Sequence, residues 1–274
     1  MKRIPVLLLC AGALLFAKGS VTEYNTLSKN IPEVHPGILA GYLDQKKLPD
    51  SLKLIRKAPK PGSAVQKYDD AVSKAYLTLQ GTKRWELAAK DADLTFPNAA
   101  KIFSCALGVP IDRAHTPHLY LLLQRTLADA GLSTYMAKNH YRRLRPFMLN
   151  KQPVCTPNEE KALRTDGSYP SGHTAIGWAW ALILAEIAPE RADAILARGR
   201  AYGESRIVCN VHWHSDVEEG RFMGASAVAK LHSNPQFLSD LAAAKKEVEV
   251  LRAKGAKPNS DCTFEREALA IRPK

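Results

Sequence analysis

Residues 174–188, Thr-Ala-Ile-Gly-Trp-Ala-Trp-Ala-Leu-Ile-Leu-Ala-Glu-Ile-Ala, are apolar around the whole helical circumference, with Glu186 as the one charge. A segment with no polar face has to be enclosed by other elements. At 15 residues it falls short of the roughly 20 that cross a bilayer, and Glu186 interrupts it further. It reads as the central helix of a helical bundle. Directly before it stands Tyr-Pro-Ser-Gly-His, a tight turn built on Pro170 and Gly172 that sets His173 on the first turn of this apolar helix.

The surrounding chain agrees with an all-α architecture. Helical patterns recur at 83–92, 117–133, 190–206, 217–232 and 239–255, while strand-like alternation is scarce and no internal repeat is visible. Ser63 and Gln66 have the spacing of a capping box, and Val65, Tyr68, Val72, Tyr76 and Leu79 then return at intervals of three and four, so a helix with that apolar face is expected. Residues 20–62 are rich in prolines and lack sustained periodicity, which predicts an extended arm ahead of a helical domain over 63–274.

Lys2 and Arg3 precede the uncharged run Ile-Pro-Val-Leu-Leu-Leu-Cys-Ala-Gly-Ala-Leu-Leu-Phe-Ala, so residues 1–19 read as a secretory signal peptide. Its removal takes Cys10 away and leaves Cys105, Cys155, Cys209 and Cys262. In an exported protein four cysteines imply two disulfides, with three pairings open. The net charge of +12, from 39 Lys and Arg against 27 Asp and Glu, becomes +9 without Lys2, Arg3 and Lys18. That excess attracts anions. Basic and acidic residues are interspersed, with no zinc-finger or RNA-binding signature, so a dedicated nucleic-acid partner is not expected.

Three segments carry chemistry. In Lys-Asn-His-Tyr-Arg-Arg-Leu-Arg-Pro, Lys138 and Arg145 are two helical turns apart and face the same way if the helix continues to Pro146, which then ends or bends it. A mobile ammonium and a rigid guanidinium fork together suit a tetrahedral oxyanion. In the second segment the hydroxyl of Ser171 and the helix-start amides around Gly172 suit an anion beside His173. In the third, Arg206 offers another fork. His212 and Asp216 are four apart, so on a helix the carboxylate fixes the imidazole tautomer and leaves the opposite nitrogen free to attack.

The ordered set Lys138 to Arg145-Pro146, Pro170-Ser171-Gly172-His173, and Ser205-Arg206 to His212 and Asp216 resembles the three-part signature of the type 2 phosphatidic acid phosphatase (PAP2) superfamily, which also includes vanadium haloperoxidases. Asp-Gly-Ser-Tyr-Pro-Ser-Gly-His-Thr and the stretch from Arg198 to Arg221 are similar to the secreted bacterial class A non-specific acid phosphatases, a likeness that runs from about Leu48 to the C-terminus. The resemblance implies a helical-bundle core, cleavage of phosphate monoesters with broad scope, no metal or other cofactor, and a covalent phosphohistidine. It makes His212 the nucleophile, Asp216 its orienter and His173 the general acid, with Lys138, Arg145, Ser171, Gly172 and Arg206 around the phosphoryl oxygens. It also implies small soluble phosphate esters, nucleotides among them, as substrates, a periplasmic location, and the option of a homo-oligomer.

Other readings stay open at this level. Diphosphohydrolase or phosphotransferase activity would use the same residues, and vanadate-dependent halide oxidation would use the same anion cradle. His212-Trp213-His214-Ser215-Asp216 also has the His-x-His-x-Asp spacing of some binuclear metallohydrolases, but Val217 stands where a further histidine is wanted. A non-catalytic exported anion-binding protein is the reading from a different class. Arg142, Arg143, His140 and His214 fall near the motifs and receive no direct role.

Overall fold

The computed structural model describes residues 21–274, so the leader expected over 1–19 lies outside the described residues. The helices that matter here are α1 (Ala64–Tyr76), α2 (Lys83–Asp91), α3 (Pro117–Leu132), α4 (Tyr135–Tyr141), α5 (Pro146–Asn150), α6 (Gly172–Ile187), α7 (Ala192–Val208), α8 (His214–Leu231), α9 (Pro235–Ala253) and α10 (Cys262–Ala270). A two-stranded antiparallel ribbon, β1 (Glu33–His35) and β2 (Ile38–Leu39), is the sheet structure among the described residues. The chain is all-α in class, as expected.

Helix α6 is the axis of the bundle, with α7, α8 and α3 packed against it. Its first turn is closed by Ser171, whose Oγ accepts from the Thr174 amide at 3.3 Å. Small residues let the neighbouring backbones come close. A Cβ on Gly177 would collide with the Tyr202 ring of α7, and one on Gly220 or Gly224 of α8 would meet the carbonyl oxygens of Ser171 and Ala175. Trp180 is fully buried and gives its indole N–H to the Leu123 carbonyl of α3 at 3.1 Å, so its one polar atom is satisfied inside the core.

The segment expected as an extended arm has more structure than that. Residues 21–28 are helical, the β1–β2 ribbon follows, and a single helical turn spans Ser51–Leu54. Buried side chains pin it to the bundle: Tyr24 donates to Gln124 Oε1 at 2.7 Å and Tyr42 to Asp240 at 2.7 Å. Asp129 of α3 accepts from the amides of Tyr42 and Leu43 at 2.9 and 3.0 Å. Tyrosines that bury a ring and satisfy a hydroxyl give an aperiodic segment its hold.

Four local expectations are corrected. Helix α1 forms, but Val65 and Tyr68 are exposed and its inward face carries Asp69 and Ser73. Ser63 caps it by accepting from the Gln66 amide at 3.2 Å, while the Gln66 side chain bonds Asp70 and Arg143 instead of closing the box. Lys138 and Arg145 do not share a helix: α4 stops at Tyr141 with Arg142 left-handed at φ 43°, and Arg145 is extended before Pro146, which opens α5 rather than ending α4. His212 likewise precedes α8 and does not lie on it with Asp216. The four cysteines pair as Cys105–Cys262 and Cys155–Cys209.

Candidate active site

The three segments converge on a cavity of about 200 Å3 whose wall includes Lys138, Arg145, Gly172, His173, Arg206 and His212. Lys138 enters from α4, Arg145 from the extended link, Gly172 and His173 from the start of α6, Arg206 from the last turn of α7, and His212 from the turn between α7 and α8. Ser171 and Asp216 stand just behind the wall, joined by the Ser171 amide donating to the Asp216 carbonyl at 2.9 Å. All eight residues singled out from the sequence are therefore gathered in one place.

His212 is buried between a carboxylate and a cation. Its Nδ1 lies 3.2 Å from Asp216 Oδ2, and its Nε2 lies 3.0 Å from Arg145 Nη1. A guanidinium only donates, so Nε2 is the acceptor and the ring proton sits on Nδ1, directed at Asp216. Burial first, then the charges of Arg145, Lys138 and Arg206, hold His212 well below the usual imidazole range. The outcome is a neutral imidazole with its lone pair on the nitrogen away from Asp216. Asp216 also accepts from the Trp213 amide at 2.9 Å, so the carboxylate that orients the ring also caps α8.

The cations are held unequally. Arg145 gives Nε to the carbonyls of Leu163 (2.9 Å) and Asp166 (3.2 Å) and Nη1 to that of Val211 (2.9 Å). Lys138 gives Nζ to the Gly167 carbonyl at 2.5 Å, and burial followed by the Arg145 charge lowers its pKa to about 8. Arg206 is fully buried, and its Nε, Nη1 and Nη2 have no hydrogen-bond partner among the described residues; burial lowers its pKa to about 10. An unpaired buried donor costs on the order of 1–3 kcal/mol, more when charged. Such a guanidinium in a cavity wall is suited to an anionic acceptor.

His173 is partly buried, and its Nε2 is 3.0 Å from the Ala92 carbonyl, which fixes a proton on that nitrogen and leaves Nδ1 for other partners. Burial and then Arg206 hold its pKa well below the usual imidazole range. Apolar side chains complete the wall, Leu94, Leu127 and Ile176 among them, with Tyr135 and with His35 of the ribbon.

Sequence reasoning missed two groups. Arg143, set aside as peripheral, donates to Asp216 Oδ1 at 2.6 Å and to Asp69 Oδ2 at 2.7 Å, and Asp69 also accepts from the amide and hydroxyl of Ser215 at 2.8 and 2.6 Å. The motif arginines gave a weak signal for this; Asp69, 147 residues from Asp216, gave none. The second is Asp166, whose Oδ2 accepts from Arg145 Nη2 at 2.9 Å and Lys138 Nζ at 3.1 Å. It sits in the quoted stretch before His173, but a search for anion ligands had no place for an acid. His214, the second histidine of the metal spacing, packs edge-on against Tyr68 and lies 3.6 Å from Glu218, outside the cavity wall.

Comparison with known proteins bears on the same region. The family model of the PAP2 superfamily matches residues 119–238, a span that contains every residue of the cavity motifs. The chain is 45% identical over 212 residues to a non-specific acid phosphatase of Providencia stuartii, covering 77% of this chain and 86% of that protein. It is 42% identical over 210 residues to an acid phosphatase of Zymomonas mobilis subsp. mobilis (77% and 80% covered) and 42% identical over 194 residues to a non-specific acid phosphatase of Salmonella typhimurium (69% and 77%). With its three motifs closing on one cationic cavity and this identity over most of its length, the chain belongs to the bacterial non-specific acid phosphatases of the PAP2 superfamily.

Proposed function

We propose that this protein is an exported acid phosphatase that hydrolyses phosphate monoesters through a phosphohistidine on His212, without a metal. The observation that carries the reading is Arg206: a fully buried guanidinium with every nitrogen unpaired among the described residues, in the same wall as a neutral imidazole.

In the first half-reaction the lone pair of His212 Nε2 attacks phosphorus and the ester P–O bond breaks. His173 gives a proton to the departing oxygen, so an alcohol leaves and a phosphoramidate forms. Asp216 accepts the Nδ1 proton in a hydrogen bond throughout and balances the positive charge that develops on the ring. Arg206, Arg145 and Lys138 stabilise the equatorial oxygens, assisted by the start of α6 at Gly172. In the second half-reaction water attacks phosphorus, His173 takes its proton, the P–N bond breaks, and phosphate leaves with His212 neutral again. The apolar wall around Leu94, Leu127 and Ile176 favours an organic leaving group over water or a second phosphate next to the reacting bond.

A periplasmic location belongs to this proposal. It is supported by the leader-like N-terminus and by two disulfides, which persist in oxidising compartments. No helix among the described residues is long and apolar enough to cross a membrane.

The test is phosphate release from p-nitrophenyl phosphate and a nucleotide panel by chelator-treated mature protein, from about pH 4 to 9, beside His212→Ala. Turnover that survives chelation and vanishes in the variant, with acid-labile phosphate trapped on His212 after a quench, supports the mechanism. Turnover that needs an added divalent metal, or that persists in His212→Ala, overturns it.

A further inference from the structure

Asp166 is the one carboxylate in the wall of the cavity among the described residues, and it occupies the two donors a phosphate would use on that side. Its Oδ2 takes Arg145 Nη2 and Lys138 Nζ together, at 2.9 and 3.1 Å. Both cations are almost fully buried, while the Asp166 side chain keeps 35% of its surface exposed. The opposite side of the cradle, the Arg206 fork, has no partner among the described residues. One half of the cradle is thus filled by an acid of the chain itself.

The carboxylate is not what places these cations. Arg145 is fixed by the carbonyls of Leu163, Asp166 and Val211 through Nε and Nη1, which leaves Nη2 as the nitrogen held by a side chain alone. Lys138 keeps the Gly167 carbonyl at 2.5 Å. Removing the acid leaves four backbone acceptors in position. Leaving it in place sets a negative charge beside an arriving phosphate dianion, and like charges at such range cost binding strongly.

We propose that Asp166 acts as a built-in competitor of phosphate, holding Arg145 and Lys138 until a substrate displaces it and so weakening the grip on both substrate and inorganic phosphate. The inference rests on the phosphatase reading of the cavity. In that reaction free phosphate is the last product to leave, and an acid that returns to the same two donors speeds its departure. A purely structural ion pair would have the opposite effect when lost: misplaced cations and weaker phosphate binding.

The experiment compares wild type with Asp166→Asn, which keeps shape and an acceptor oxygen but removes the charge, and with Asp166→Ser as a second neutral replacement. Inorganic phosphate is titrated calorimetrically, and its Ki against p-nitrophenyl phosphate is measured alongside KM and kcat. Competition predicts that Kd and Ki for phosphate and the KM all fall, by roughly tenfold or more, with no rise in kcat. Unchanged or weaker phosphate binding in whichever variant stays folded overturns the proposal. The calorimetry needs no turnover, so a wild-type protein that binds phosphate without hydrolysing esters defeats the phosphatase reading alone, and a working wild type with no gain in either variant defeats this inference alone.

Discussion

Arg143 Nη1 lies 2.6 Å from Oδ1 of Asp216, the carboxylate oxygen that His212 does not use. The other end of the same guanidinium reaches Asp69, so a buried line runs from imidazole to carboxylate to arginine to carboxylate. The two acids, Asp216 and Asp69, are bridged by one planar cation, and Asp216 is held in one orientation.

Loss of that bridge should affect fold and turnover together. In Arg143→Ala two buried carboxylates lose their counterion, and removing one partner of a buried pair costs about 3–5 kcal/mol. Arg143→Lys keeps the charge but cannot bond both acids in the plane of the fork. It is expected to fold with a lower melting temperature and a reduced kcat at nearly unchanged KM. Denaturant melts and steady-state kinetics check this, and wild-type kcat in Arg143→Lys would argue that the bridge is dispensable.

Arg206 should trade stability against function. Its guanidinium gives up no hydrogen bond to the described residues when removed, so Arg206→Met, which refills the volume, is expected to melt no lower than wild type in the absence of ligand. Turnover should fall by about 10²–10³, the loss typical of removing one group that stabilises a developing oxyanion, and the phosphate-induced rise in melting temperature should shrink. A ligand-free variant much less stable than wild type would mean that the arginine has structural partners in solution.

The pH behaviour follows from His173. Burial and the Arg206 charge depress its pKa in the folded protein, whereas the unfolded chain titrates near 6.5. The native ring therefore binds fewer protons than the unfolded one in mild acid. The stability this ring contributes is full above about pH 6.5 and declines as the pH falls towards its native pKa. Bound phosphate reverses the local field and favours imidazolium, the form needed to protonate a leaving group. The NMR titration midpoint of His173 should move upward when phosphate is added, and kcat/KM should rise on acidification. A midpoint indifferent to phosphate would contradict the general-acid role.

The two disulfides should separate by position. Cys209 follows the last turn of α7 and stands three residues before His212, whereas Cys262 opens α10, which packs against α2. Each closes a long loop and is expected to contribute about 2–5 kcal/mol. Replacing Cys155 and Cys209 by serine should lower both melting temperature and kcat. Replacing Cys105 and Cys262 should lower the melting temperature and leave kcat near wild type at 25 °C. Equal kinetic losses in both double variants would mean that Cys209 has no special hold on the His212 turn.

Much of the fold was legible because helix signals are local. The apolar run after His173 has to be enclosed, and the spacing of two histidines, an acid, two arginines and a lysine points to one anion chemistry. Where the reading failed, a local rule met a nonlocal demand. Val65 and Tyr68 looked like a core face, but α1 turns Asp69 inward because Arg143 and Ser215 wait there. Lys138 and Arg145 looked like one helical face, but Arg145 reaches the site from an extended link that Pro146 enforces.

The sequence by itself determined the helical class, the central helix and the basic and histidine residues of the cavity wall, since composition, periodicity and motif order act over a few turns of chain. Only the tertiary structure decided which cysteines pair, that Arg143 joins Asp216 to Asp69, that Arg206 is left without a partner, and that Asp166 fills the fork of Arg145 and Lys138. The bridges join residues from 21 to 157 positions apart or, as at Asp216, groups whose second partner lies far along the chain. Which buried charge meets which is set by how the helices stack, because the cost of an unpaired charge is felt only once packing has excluded water.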